Sequence, residues 1–253
     1  MEELLLRFPH IGEQTFKQLS NRNLTKCKTV TRTWYNFIKN DRFCKQRAHY
    51  EKIQKDQDTD GRTQLHKTAR DGQLLECKLI IEHVENKNPA DDRGLTPLHF
   101  AALRGHLDIS KLIIEKISDK NPADNGGGTP LHFSARRGHS DICKFIIEKI
   151  VEKNPKITFA GNFYLGWTPL HFAACFGHLD VCRVIIEKIV DKNPANNIGS
   201  TPLHYAANNG YLDICRLIIN NVDNMLPYNN AGKTPKDLAD LNNRVAVSAL
   251  FEF

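Results

Sequence analysis

The sequence predicts an all-α solenoid of about six helix-turn-helix repeats, preceded by a small three-helix segment. Three observations predict it. First, a seven-residue motif recurs: TQLHKTA from Thr63, TPLHFAA from Thr96, TPLHFSA from Thr129, TPLHFAA from Thr168, TPLHYAA from Thr201 and TPKDLAD from Thr234. The steps are 33, 33, 39, 33 and 33 residues, a period that belongs to stacked supersecondary units. Second, five of the six motifs carry a proline where a helix would start, and five are followed by a glycine where it would stop. Third, the residues after each glycine are apolar at helical spacing.

The second copy shows the logic of each element. Thr96 suits an N-cap, because its hydroxyl can accept from an orphan backbone N–H. Pro97 sits at the first helical position, where its missing N–H costs nothing. Leu98, Ala101 and Ala102 give a short helix with a face small enough for close packing. Gly105 ends it, since the residue after the last turn favours positive φ. Ile109, Leu112, Ile113 and Ile117 then mark a second helix. One such pair cannot bury its apolar face alone, and stacking completes the core.

The resulting organisation is residues 1–45 as an N-terminal helical segment, 46–60 as a connector and 61–253 as repeats. The repeats fall at about 61–93, 94–126, 127–165, 166–198, 199–231 and 232–253. Polar substitutions mark the ends, as solubility of a stack requires. The first copy has Gln64, Lys67 and Thr68, and the last has Lys236 and Asp237.

The motif and its period resemble the ankyrin repeat over about residues 58–253. One departure lies in the connecting loop. The family's Gly-Ala-Asp-x-Asn is replaced by Lys-Asn-Pro-Ala at 87–90, 120–123 and 192–195, and by Lys-Asn-Pro-Lys at 153–156. The second helix is therefore expected to run on and stop before the Asn-Pro, because a residue preceding proline disfavours α conformation. The usual finger shape of the loops is in question.

The resemblance implies that partners contact the finger residues before each motif and the two residues after its Ala-Ala. By register these include Arg93, Leu95 and Arg104 in the second repeat and Arg136 and Arg137 in the third. In the fourth they include Tyr164, Trp167 and Phe176. The fourth loop is six residues longer and adds Phe159 and Phe163 to Tyr164 and Trp167. Exposed aromatic clusters mark interaction sites. Tyr164 and Trp167 are thus expected to anchor a protein partner that has apolar and acidic residues, with the arginines steering it. A solenoid tolerates a projecting insertion, so residues 157–162 should be removable without harm. The alternative is an insert that folds back on its own repeat and hides its rings.

Two ladders run along the repeats. His66, His99, His132, His171 and His204 are one repeat apart, on the order of 8–10 Å for packed helices. Zinc ligands lie about 2.0–2.3 Å from one ion. The histidines are expected to tie neighbouring loops by hydrogen bonds and not to hold metal. Cys77, Cys143, Cys182 and Cys215, each eleven residues after a motif histidine, are expected to be buried and inert, with Cys175 outside the series. There is no phosphate-binding loop, no zinc-protease motif and no paired catalytic carboxylates in one motif. The reading is of a non-enzyme without cofactor or metal.

Seven cysteines without paired close spacing fit a reducing compartment better than a disulfide framework. No apolar run approaches the roughly 18 residues of a membrane span. Acidic Glu2 and Glu3 stand where a signal peptide carries basic residues. A cytoplasmic protein is expected, with the nucleus as the other compartment. The net charge of +6 is uneven: residues 4–50 hold ten basic residues and only Glu13 and Asp41 as acids. Positive charge alone confers only non-specific affinity for nucleic acid, which makes that partner the weaker reading.

The N-terminal segment does not repeat. Short helices are expected over Thr15–Ser20, Leu24–Val30 and Arg32–Lys39. Phe8-Pro9, then Leu19, Leu24, Val30 and Trp34 at steps of five, six and four, resemble an F-box. Asn23 stands where that family has Asp, and Gly12 where it has an apolar residue. The resemblance implies binding to the Skp-type linker of a cullin-RING ubiquitin ligase, with the repeats choosing the substrate. The alternative is a plain scaffold or inhibitor whose N-terminal helices cap the first repeat.

Overall fold

A computed structural model describes residues 48–50, 52, 56–158, 161 and 163–252. Every regular element among them is helical. The three helices expected within residues 1–45 lie outside the described residues. Part of the expected connector is helical, at 48–50 and 52, and the ring of Tyr50 lies 5.0 Å from that of His83.

Six helix pairs follow. The inner helices are α1 (Gln64–Asp71), α3 (Pro97–Arg104), α5 (Pro130–Arg137), α7 (Pro169–Phe176), α9 (Pro202–Asn209) and α11 (Pro235–Leu241). The outer helices are α2 (Leu74–His83), α4 (Leu107–Lys116), α6 (Ser140–Lys149), α8 (Leu179–Ile186), α10 (Leu212–Ile219) and α12 (Val245–Ser248), and a 3₁₀ turn at Ala249–Phe251 closes the chain. Inner helices stack on inner helices and outer on outer. One continuous core results, in which Leu65, Leu98, Leu131, Leu170 and Leu203 of the inner layer meet Ile80, Ile113, Ile146, Ile185 and Ile218 of the outer layer. Each such side chain stabilises by roughly 1.5–3 kcal/mol on burial. The small alanines of the motif, such as Ala101 and Ala173, let the helices approach.

Each inner helix starts with a reciprocal cap in which the third residue is histidine. The Thr96 amide donates to His99 Nδ1 at 3.0 Å, and the same bond recurs from Thr63, Thr129, Thr168 and Thr201. In the last repeat Asp237 replaces the histidine and accepts from the Thr234 amide at 2.8 Å. Each inner helix but the last ends on a glycine of positive φ, as at Gly105, with φ 83°. That glycine serves a second purpose. A Cβ on Gly105 would lie 2.7 Å from His139 Cε1, so the next repeat's histidine packs against the bare backbone.

The polar first repeat is more interior than its sequence suggests. Thr68 is buried, and its hydroxyl donates to Leu65 O and accepts from Cys77 Sγ. Lys67 remains at the surface beside Asp58.

The expectation of longer outer helices is wrong. α4 ends at Lys116, and Ile117 is already extended at φ −112°, ψ 158°. The Lys-Asn-Pro sequence explains the early stop. Lys120 Nζ folds back and donates to the carbonyls of Ile114 and Ile117, which the helix end leaves without partners. Asn121 then reaches forward, and its Oδ1 accepts from the Leu131 amide at 3.0 Å. The lysine thus closes one helix and the asparagine opens the next. Lys87 and Asn88, Lys153 and Asn154, and Lys192 and Asn193 repeat the arrangement.

Lys120→Ala should therefore lower unfolding free energy by about 1–2 kcal/mol in urea titrations, and Asn121→Ala by a similar amount. Lys116→Ala, an exposed neighbour, should stay within about 0.5 kcal/mol of the parent. Equal effects of Lys120→Ala and Lys116→Ala would remove the lysine from its capping role.

Candidate functional site

The finger before each inner helix but the fourth is built on one side-chain acceptor. Asp91 Oδ1 accepts from the amides of Arg93 (3.0 Å) and Leu95 (2.8 Å), and Asp124 Oδ1 from those of Gly126 and Gly128. Asn196 and Asn229 do the same with a side-chain amide. Successive fingers are also joined through the backbone, by Asp92 N to Asp60 O, Asn125 N to Arg93 O and Asn230 N to Ile198 O. The fingers survive the altered connecting loop, which resolves the question the sequence left open.

The histidine ladder bridges each finger to the repeat before it. With Nδ1 accepting from the threonine amide, Nε2 carries the proton and donates to a carbonyl of the next repeat. The acceptors are Leu95 O for His66, Gly128 O for His99, Ser200 O for His171 and Lys233 O for His204, at 3.0–3.2 Å. His132 reaches Trp167 O at 3.4 Å, in the repeat with the longer loop. Both nitrogens of each ring are engaged. Among the described residues no group of three His, Cys, Asp or Glu side chains is placed to hold a metal ion.

Burial lowers the pKa of all five histidines, opposed by the hydrogen bond to the carbonyl; His99 and His132 fall to about 4 and His171 to about 3. Burial likewise raises the thiols of Cys77, Cys143, Cys182 and Cys215, with Cys143 and Cys215 pushed to about 12. These four are fully buried, as expected, and hold no thiolate at neutral pH. Cys175 is half-buried, and burial raises its thiol too.

The aromatic insert divides in two. Ile157 stands where sister fingers have Asp or Asn, and only its backbone holds the finger base: its amide donates to Trp167 O and its carbonyl accepts from Gly166 N. Its side chain joins Trp167 and Phe172 in a second apolar core, flanked by Tyr164, Cys175 and Tyr205. Trp167 is 6% exposed, with its ring 4.5 Å from Tyr205 and 4.9 Å from Phe172. It cannot be a surface anchor; it is the centre of a packed cluster. Residues 157–162 are likewise no free insertion, because Ile157 is buried. Phe163 is 88% exposed, edge-on to the half-buried Tyr164. Phe159 lies outside the described residues.

Arg136 links this cluster to the third repeat, with its guanidinium 5.8 Å from the Tyr164 ring centre and 5.3 Å from that of Phe176. Such stacking holds a guanidinium with its donors outward. Arg93, Arg104, Arg136 and Arg137 are all exposed, and Leu95 is half-buried. None of the four arginine side chains makes a hydrogen bond or ion pair with another described residue. The first repeat contrasts with them. There Arg62 pairs with Asp60 and Asp91, and Arg70 with Asp71. Phe8, Pro9, Leu19, Leu24, Val30 and Trp34, the F-box-like positions, lie outside the described residues.

Two features escaped the sequence reading. Phe100, Phe133, Phe172 and Tyr205, each just after a motif histidine, stand edge-on to the histidine of the preceding repeat at 5.5–6.1 Å. His106, His139 and His178, each after a glycine, donate from Nε2 to the carbonyls of Arg70, Leu103 and Arg136. Tyr211 breaks that second series, and Asn209 Nδ2 takes over by donating to Cys175 O at 2.8 Å. The recurrent Gly-His pair was the available signal.

Stacked helix pairs with backbone-joined fingers along one edge define a helical repeat protein. The chain belongs to the ankyrin-repeat family: the family model for ankyrin repeats (3 copies) matches residues 37–124, 85–158, 117–196, 154–230 and 185–252. No curated protein matches the chain. The family indicates a protein-binding scaffold.

Two outcomes follow from the geometry. Trp167→Ala should cost about 3–5 kcal/mol of stability in denaturant titrations, as removal of a buried aromatic does; an unchanged midpoint would return Trp167 to the surface. The histidines give a pH dependence. Their folded pKa values lie below the unfolded value near 6.5, so the unfolded chain binds the extra protons. Stability is full above pH 6.5 and falls as pH drops towards 4, by about 1.4 kcal/mol per unit for each of His99, His132 and His171. His132→Gln should flatten that slope between pH 6.5 and 4 by about this amount.

Proposed function

We propose that this ankyrin chain is a non-catalytic adaptor that holds a protein partner on its finger-and-inner-helix face. One observation carries the reading. Arg93, Arg104 and Arg137 stand exposed, and among the described residues none of their side chains has an ion-pair partner. Unpaired guanidinium groups beside exposed aromatic rings are the usual material of binding hot spots. Nothing in the buried thiols or the engaged histidines offers a nucleophile or a general base.

The finer reading is a substrate-recruiting subunit of a cullin-RING ubiquitin ligase, with residues 1–45 engaging a Skp-type linker. It rests on the F-box-like spacing of Phe8, Pro9, Leu19, Leu24, Val30 and Trp34. A second reading, a scaffold capped by its own N-terminal helices, is favoured by two observations. The family match begins at residue 37, inside the F-box-like stretch, and Tyr50 packs against the first repeat's core.

The full chain and its Pro9→Ala/Leu24→Ala variant separate the two. The adaptor reading expects purified Skp-type linker to co-elute with the parent and not with the variant, while both melt alike. Failure of the parent to retain linker at low salt leaves the capped scaffold.

A further inference from the structure

The contact face is not uniform, and its gradient names both where a partner lies and what it is made of. At one end, the first repeat neutralises its own arginines: Arg62 lies against Asp91 at 3.2 Å and Arg70 against Asp71 at 2.8 Å. At the other end, the fifth and sixth repeats carry asparagines, and these bond to each other. Asn208 Nδ2 donates to Asn209 Oδ1, Asn209 Nδ2 to Cys175 O, and Asn242 Nδ2 to Asn208 Oδ1. Arg244 Nε donates to Asn208 O and closes that network. These arginines and asparagines are thus engaged internally. Among the described residues, the second and third repeats keep exposed guanidinium groups on this face with neither a hydrogen bond nor an ion pair, those of Arg93, Arg104 and Arg137, beside the exposed rings of Phe163 and Phe176 (41% exposed).

We infer that the partner docks across the second to fourth repeats alone, as an extended acidic segment with an apolar anchor. Its carboxylates pair with Arg93, Arg104 and Arg137, and its anchor packs against Phe163 and Phe176 where Arg136 is stacked. The inference rests on the protein-binding reading and adds the partner's composition, polarity and position. Charge decides the occupant, since a basic or uncharged segment would leave the guanidinium groups of two adjacent repeats without counter-charge. Spacing sets the register. Neighbouring repeats are on the order of 10 Å apart, and an extended chain advances about 3.3 Å per residue, so one repeat spans about three residues. The acidic residues therefore lie about three to six residues from the apolar anchor.

The test uses the full chain and a fluorescein-labelled peptide of about twelve residues. The peptide carries a Glu-Glu-Glu block separated by about three Ser or Gly residues from a Phe-Leu pair. Fluorescence anisotropy should give saturable binding that weakens as salt rises. Phe163→Ala, and the pair Arg104→Glu/Arg137→Glu, should each reduce affinity at least tenfold, and the charge-reversed pair should abolish the salt dependence. All three positions are exposed, and unchanged circular dichroism checks that the stack persists. Ile198→Ala, on the fifth finger, should leave affinity within twofold. A peptide with Lys for Glu that binds equally well overturns the inference, as does equal loss on Ile198→Ala or no binding of the acidic peptide. A protein partner held by the full chain but indifferent to Phe163→Ala also overturns it, and leaves the protein-binding reading standing. A chain that holds no protein partner at all overturns both.

Discussion

Each inner-helix histidine has two ring nitrogens, and the stack depends on both being used at once. Nδ1 accepts from the threonine amide that begins its own helix. Nε2 donates to a carbonyl at the base of the next finger. One ring thus fixes a helix start, a tautomer and the position of the neighbouring repeat. Its low pKa is the mark of that position: a charged imidazolium would lose its acceptor nitrogen and with it the cap. The finger edge is thus assembled by buried groups.

The repeat count, helix starts and glycine stops were legible in the sequence because each rests on local chemistry repeated at a fixed step. The histidine bridge and the buried cysteines were legible for a related reason, since residues one repeat apart cannot share a ligand. Local chemistry misled at Lys120. The proline rule concerns the residue before Pro122 and says nothing of a lysine that folds back onto carbonyls three and six residues earlier. Trp167 misled differently. Its place in a finger suggested exposure, but Ile157 had replaced the polar hub of that loop, and an apolar hub draws the nearest rings inward. Only the Ile157-for-Asp exchange carried that information. The exposed arginines were found by register, whereas the pairing that silences Arg62 and Arg70 requires the folded arrangement.

Insertions in repeat proteins are often treated as appendages, and the fourth repeat is a counter-example. Its longer loop gives up the carboxylate hub and gains an apolar cluster that reaches the fifth repeat through Tyr205. The same cluster supplies the ring surfaces on which Arg136 lies. Substitutions in this loop therefore divide sharply between those, as at Trp167, that loosen the stack and those, as at Phe163, that change only its surface.

The Lys-Asn-Pro splice occurs at four of the five junctions. The last junction reads Asp223-Asn224-Met225-Leu226-Pro227 and has no lysine at the equivalent place. Asn224 Oδ1 there accepts only from the local Leu226 amide. The final helix pair is accordingly joined to the fifth repeat by packing, by His204 at Lys233 O and by Asn242 and Arg244 at Asn208, without the lysine clamp found at the other junctions. The chain is thus spliced unevenly along its length: the last link lacks a bond that the others share, while the exposed arginines of the second and third repeats sit wholly between clamped junctions.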